Sequence, residues 1–456
     1  MDLASPAVTP APRPSRAPAT AVLGIACAAI IPVLMNYTTP LITLPPTARG
    51  VGAGAAAQTW ILNASPLGLA AALLVSGTLA DNFGRRRLMI IGALGTALGS
   101  ALAAVAADPA TLIAGRVLQG ATGAAIIASS LGAIGHTFTE PSARARATGL
   151  WATALSTGLV LGPIVSGLLT VSVSWRAAYW VFAALGVVLA AAATRLPESR
   201  AARRRPVHYG GIVTAVTAMA ALLAALTLAR TGWTQPSVVV LAVVTALAVA
   251  GFAVLSRRHH APMVDLHLFR HRPFLLSIAG SGLNGLIMIG VLSAVPTAWE
   301  NTHRFGALFV GAVFVSYPLL AMVTARLSRY LRLSSNRQLA LGYAIHIGQL
   351  FLLGTVDHWS LPHAIAGFGI AGIGCGLVNS ANARMAVDSV PAERASMGSG
   401  AANTARYVGS AVGLAVAVTV IGGAGWGAGV DAMLIASAVL LALAAVAFAS
   451  RSPRPA

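Results

Sequence analysis

Apolar runs long enough to cross a bilayer recur along the whole chain, with short polar stretches between them. A hydrocarbon core takes about 20 apolar residues per helix. Runs of that kind fall at roughly 21–45, 57–80, 87–107, 110–134, 146–170 and 174–194. Two follow at 210–229 and 236–255, and six close the chain near 273–298, 306–326, 337–355, 361–382, 398–421 and 430–450. The pattern predicts an all-α membrane protein of fourteen transmembrane helices in a 6+2+6 grouping. The second run and the tenth to twelfth are interrupted by polar residues and Gly, so thirteen or twelve spans are the alternatives.

The grouping divides the 456 residues into five parts. Residues 1–20, rich in Pro, Ala and Ser, read as a disordered cytoplasmic tail, and 21–194 as an N-terminal six-helix bundle. Residues 195–272 hold two basic linkers and the two inserted transmembrane helices. A C-terminal six-helix bundle fills 273–450, and 451–456 form a second cytoplasmic tail.

Composition sharpens this picture. Hydrophobic residues make up 57% and charged residues 9%, with a mean hydropathy of +0.80. Soluble domains carry about 25% charged residues, so a water-facing surface of this size is excluded. The net charge of +19 comes from arginine, since no Lys occurs. With the N-terminus inside, 24 of the 30 arginines fall in predicted cytoplasmic segments and four outside: Arg49, Arg176, Arg230 and Arg304. Arg116 and Arg406 fall within spans. That bias sets both termini in the cytoplasm, and clusters between apolar runs argue against a nucleic-acid groove. Cys27 and Cys375 lie inside apolar segments, so neither a disulfide framework nor a metal site is expected.

Three local patterns carry mechanism. After the second run the chain reads Gly77-Thr78-Leu79-Ala80-Asp81-Asn82-Phe83-Gly84-Arg85-Arg86-Arg87. Gly77 and Gly84 allow close packing and a tight turn. Asp81 can accept from a nearby helix N-terminus or pair with an arginine such as Arg85 or Arg86, which makes a conformational latch. In the fourth run, Gly115-Arg116-Val117-Leu118-Gln119-Gly120 puts a cation inside an apolar helix. A charge there costs several kcal/mol and is a functional candidate by default; snorkelling to an interface is the competing reading. The fifth run carries Gly149, Gly158, Gly162, Pro163 and Gly167, where small residues admit a neighbouring backbone and Pro163 bends the helix.

These stretches together resemble the major facilitator superfamily. The first is similar to the signature between its second and third spans, the Arg116 segment to its fourth-span motif, and 149–167 to the fifth-span motif of its antiporters. Two spans inserted between six-helix halves resemble the fourteen-spanner drug:proton antiporter family (EmrB/QacA-type), as do Ser174-Trp175-Arg176 and Pro262-Met263-Val264-Asp265-Leu266-His267-Leu268-Phe269-Arg270. The resemblance implies two six-helix bundles rocking about a central cavity with alternating access, located in the cytoplasmic (inner) membrane as a monomer among lipid. It also implies export of a small hydrophobic or amphiphilic substrate against entering protons, without a cofactor. Asn36 stands where relatives usually carry an acid, Asn82 where they carry a basic residue, and Ser166 where they carry Gly.

Proton antiport needs a group whose protonation changes during turnover, yet none of the eleven acids lies mid-span. Coupling candidates are Arg116 with Gln119, His346 within the eleventh run, and Glu300 just beyond the ninth. A histidine in an apolar run also reads as a packing residue. For the substrate cavity the candidates are Asn36, Tyr37, Trp60, Asn63, Trp151, Asn284, Met288, Tyr317, Asn403, Arg406 and Tyr407; Trp299 reads as an interfacial anchor. With Arg116 and Arg406 inside spans and no mid-span acid, the interior leans neutral or positive, favouring neutral or anionic amphiphiles.

The chain has no H-E-x-x-H, nucleotide loop or nucleophile elbow, which excludes the enzymes those motifs mark. Alternatives within the transporter reading are a narrow-specificity exporter of one metabolite or antibiotic, and uptake. A non-transporting receptor-like relative is the alternative from another class.

Overall fold

The computed structural model describes residues 16–200, 209–229, 232–258, 268, 270–287, 307–353, 361–424 and 426–449. Among these are fifteen α-helices and no strand. The first nine are α1 (Arg16–Thr38), α2 (Pro40–Val51), α3 (Ala55–Phe83), α4 (Arg85–Val105), α5 (Pro109–Thr137), α6 (Pro141–Ser172), α7 (Trp175–Ala193), α8 (Tyr209–Ala229) and α9 (Pro236–Arg258). The remaining six are α10 (Arg272–Asn284), α11 (Ala307–Leu327), α12 (Ser335–Leu353), α13 (Leu361–Asp388), α14 (Ala395–Ala424) and α15 (Trp426–Ala449). Ten stretches of these helices are long and apolar enough to cross a membrane, which makes this a multi-pass membrane protein.

The first apolar run, expected as one helix over 21–45, is divided at Thr39. Proline has no N–H to donate, and Pro40 opens α2 at its first position. Thr38 and Thr39 turn their hydroxyls back onto the carbonyls of Leu34 and Met35 at 3.1 and 2.9 Å. Helix α2 then ends at Gly52, whose φ of 67° is left-handed and suits glycine.

Two bundles follow one packing plan. In the first, α5 packs on α3, α4 and α1, α4 on α7, and α6 on α1 and α7. In the second, α13 packs on α11, α12 and α10, α12 on α15, and α14 on α10 and α15. Each of these contacts in one half thus has its counterpart in the other. Between the halves, α3 meets α14 as α6 meets α11, and α5 meets α14 as α13 meets α6. Helices α8 and α9 pair with each other beside α3 and α14. The α9 face bearing Val239, Val240, Val243 and Leu247 is exposed and apolar, as a helix bathed in hydrocarbon should be.

Close approach holds the halves together. Without a hydrophobic drive between helices in lipid, van der Waals packing of small residues takes over. A Cβ on Gly77 would run into the Ser396 carbonyl, and one on Gly400 would meet the Leu73 carbonyl at 2.5 Å. In the first half, a Cβ on Gly158 would meet the Ile31 carbonyl at 2.5 Å and one on Gly162 the Met35 carbonyl at 2.6 Å. Both α6 glycines therefore press on α1, while Gly167 has looser contact with Ile42 at 3.4 Å. Pro163 lies within α6.

Candidate functional site

At the end of the bundles bearing the α3–α4 turn, Asp81 sits at the C-terminal end of α3 and is 4% exposed. It faces the start of α14. There Met397 N–H donates to Asp81 Oδ2 at 2.9 Å and Ser396 N–H to Oδ1 at 3.3 Å. The carboxylate of one half thereby caps a helix of the other, where backbone donors and the helix dipole favour negative charge. Arg85 Nη2 donates to Asp81 Oδ1 at 2.8 Å and to the Ala392 carbonyl at 3.1 Å, and its Nε to Ser396 Oγ at 3.1 Å. Gly84 joins α3 to α4 with φ 111°, a left-handed value that favours glycine.

Glu198, which sequence reasoning overlooked, packs onto this turn from the segment after α7. Its Oε1 accepts from Arg86 N–H at 3.2 Å and its Oε2 lies 3.7 Å from Arg86 Nε and from Arg87 Nε. Arg86 Nη1 also donates to the Leu196 carbonyl at 3.3 Å. A second tie between halves is Arg144 to Asp388 at 2.6 Å. Nothing in the local sequence marks Glu198 or Asp388, because tertiary packing supplies their partners.

Arg116 is fully buried in α5. Its Nε donates to the Ile61 carbonyl at 2.8 Å, and its Nη1 to Tyr179 Oη at 3.3 Å and Asn36 Oδ1 at 3.5 Å. It does not snorkel: it ties α1, α3 and α7 to α5 inside the first half. Gln119 Nε2 donates to Ser100 Oγ at 2.9 Å, facing α4 rather than the second half.

Between the halves lies a small cavity with two unlike walls. Leu131 of α5 and Trp151, Ala152 and Leu155 of α6 line one side; Ser281, Asn379, Asn382, Ala383, Ala386, Ala402, Asn403 and Arg406 line the other. Trp151 Nε1 donates to Ser130 Oγ at 3.0 Å, which fixes the indole. Asn284 Nδ2 donates to Asn379 Oδ1 at 3.0 Å, and Asn403 Nδ2 to the Ser399 carbonyl at 3.0 Å. Tyr317 Oη bonds Cys375 Sγ at 2.9 Å. Tyr37 and Tyr407 meet across the halves with ring centroids 6.1 Å apart, and Arg406 lies 4.9 Å from the Tyr407 ring centroid.

Of the cavity candidates, Trp151, Asn403 and Arg406 line the cavity, Asn284 and Tyr407 adjoin its lining residues, and Tyr37 meets Tyr407. Tyr317 joins through Cys375, which Asn379 Nδ2 approaches at 3.2 Å. Asn36 belongs to Arg116, and Asn63 is spent on the Thr59 carbonyl of its own helix at 3.0 Å. Trp60 is half-buried on the same helix. Gly149 faces Ala325 and Ser328 near the end of α11 at 3.7–3.8 Å. His346 is fully buried, with Gly374 of α13 so close that a Cβ there would meet its Nε2 at 2.8 Å; it packs α12 on α13, away from the cavity. Glu300, Met288 and Trp299 lie outside the described residues. Asn379 and Asn382, missed in the sequence, sit one turn apart on α13 in a stretch that also holds Ser380 and Arg384.

Two six-helix bundles share one packing plan, with the Asp81 cap joining them at one end and a cavity between them, an arrangement that fits a membrane carrier. The chain belongs to the Major Facilitator Superfamily, whose family model matches residues 26–414. Over 384 residues it is 30% identical to "Multidrug resistance protein Stp" of Mycobacterium tuberculosis (strain CDC 1551 / Oshkosh), covering 83% of this chain and 72% of the relative. The "Multidrug efflux pump LfrA" of Mycolicibacterium smegmatis (strain ATCC 700084 / mc(2)155) is 31% identical over 420 residues, 90% of this chain and 82% of the relative. The "Puromycin resistance protein pur8" of Streptomyces alboniger is 28% identical over 410 residues, 88% and 82% of the two chains. Among solved structures, the human organic anion transporter MFSD10 superimposes with TM-score 0.71 at 18% identity, covering 94% of this chain and 99% of that one. At that identity the likeness concerns the fold alone. The protein is a transporter by family, not an enzyme.

Proposed function

We propose that the protein exports hydrophobic small molecules or drugs across the cytoplasmic membrane by alternating access, as a fourteen-span monomer with both termini in the cytoplasm. One observation carries the mechanism: Asp81 of one half caps α14 of the other at the arginine-rich end. By the arginine bias that end faces the cytoplasm, so the latch closes the cavity toward the cell interior. Releasing Ser396 and Met397 from Asp81 lets the halves part there, and substrate enters.

The multidrug names of two relatives support a broad substrate range. Proton entry is the driving force that the family resemblance supplies; no Asp or Glu is among the cavity-lining residues, so the proton site is assigned outside them. A narrow exporter is the second reading, favoured by the single-antibiotic name of the puromycin resistance relative.

The test is growth of an efflux-deficient bacterium on a panel of unrelated drugs, comparing wild type with Arg116→Ala at matched membrane expression. Protection against several compounds, lost in the variant and abolished by a protonophore, is expected. Protection that survives the protonophore would remove proton coupling, and protection against a single compound would favour the narrow exporter. No protection from any compound would overturn export of drugs.

A further inference from the structure

We infer that the central cavity is built for an amphiphilic anion, an apolar aromatic body with one carboxylate-type head, seated with that head on Arg406. The inference rests on the exporter reading and names its substrate class.

The charge comes first. Arg406 lies near the middle of α14 and is 9% exposed. Its Nη2 donates to Tyr407 Oη at 3.3 Å, while its Nε is buried without an acceptor. No acid pairs with it among the described residues, whose ion pairs all lie elsewhere. A cation held at that depth without a counter-charge is costly, and a bound anion removes the cost.

The walls agree with that assignment. Across from Arg406, Leu131, Leu155 and the hydrogen-bonded indole of Trp151 offer an apolar surface. On the Arg406 side, Asn382 is buried with both amide atoms unpartnered, and Asn284 Oδ1 is likewise open. Asn382 Nδ2 can add a second donor to an oxyanion, whereas an ammonium would find no carboxylate and a nearby guanidinium. The loaded cavity is then neutral while the halves move about it.

The experiment measures binding to the purified full-length chain in detergent, by quenching of tryptophan fluorescence. Three probes share one ring system: naphthalene-2-carboxylate, naphthalene-2-carboxamide and 2-naphthylmethylammonium. A charge-assisted hydrogen bond is worth about 1.5–3 kcal/mol, so the carboxylate should bind roughly tenfold or more tighter than the amide. The ammonium should bind more weakly than either. Arg406→Gln should bring carboxylate and amide within about twofold of each other, about 0.4 kcal/mol. Arg406→Lys should keep part of the preference, and Asn382→Ala should reduce it even if Arg406→Gln fails to fold.

Ammonium binding as tight as the carboxylate, binding of none of the three, or an undiminished preference in Arg406→Gln would overturn the inference. The drug panel separates it from its parent reading. Drug protection with ammonium preference sinks the anion site alone. Carboxylate binding without any drug protection sinks drug export alone.

Discussion

The guanidinium of Arg116 lies 3.5 Å from the amide oxygen of Asn36, with the hydroxyl of Tyr179 at 3.3 Å and no carboxylate in the set. Three neutral oxygens, counting the Ile61 carbonyl, therefore hold a fully buried cation. Asn36→Asp should place an acid on the guanidinium and stabilise the fold, since an added partner relieves an unpaired buried charge. A rise in melting temperature in detergent checks this; a fall would show that a second charge costs more than the pair returns.

Asp81→Asn should loosen the latch. Removing one partner of a buried charge pair costs about 3–5 kcal/mol, and 3 kcal/mol is roughly a hundredfold in population. Electron–electron distance measurements between spin labels at the exposed positions 146 and 332, which leave the Arg144–Asp388 tie intact, should show the arginine-rich end opening. Asp81→Glu should recover part of the closed population.

Gly162→Leu should separate α6 from α1, because a Cβ alone already meets the Met35 carbonyl at 2.6 Å. Overpacking of this kind costs about 1–3 kcal/mol. Gly167→Ala, whose nearest neighbour is at 3.4 Å, should be tolerated. Paired thermal unfolding of the two variants decides the matter.

Glu140 caps the start of α6. The Ser142 hydroxyl, then the Ser142 and Ala143 N–H groups, hold its carboxyl below the ordinary value of 4.5. A lowered folded-state pKa adds stability above the unfolded value and loses it as pH falls through the folded one. Wild type should therefore melt above Glu140→Gln at neutral pH, and the two should converge in acid below 4.5. A gap that widened on acidification would count against the cap.

Much of the first half was legible because its motifs are local. Residues 77–87 spell a turn, an acid and its arginine within one short loop, and that loop folds on itself through Asp81 and Arg85. The other half of each contact was not legible. Ser396 and Met397 are unremarkable residues until α14 is laid against α3, and Glu198 reads as a solvated acid until α7 delivers it to Arg86. Asn379 and Asn382 are hidden for the same reason: two amides beside Ser380 and Arg384 carry no signal of the face they share. His346 reads two ways in the sequence, as a coupling candidate and as a packing residue. A titratable side chain in an apolar helix draws attention, yet Gly374 makes room for it as a packing residue. The division at Thr39 was visible in Pro40, but hydropathy ignores a missing donor and ran through it.

The two halves match in helix order but not in how their helices begin. Helix α6 starts on a cap of its own, Glu140, whereas α14 starts on Asp81, borrowed from across the gap. When the halves part at that end, α6 takes its cap along and α14 leaves its own behind. In the proposed cycle the strain of opening would thus be delivered to one thirty-residue strut. About nine residues further along that strut, roughly 14 Å at 1.5 Å per residue, stands Arg406. In the proposed exporter bolt and cargo berth are mounted on the same rod, so a tug at either end would be felt at the other.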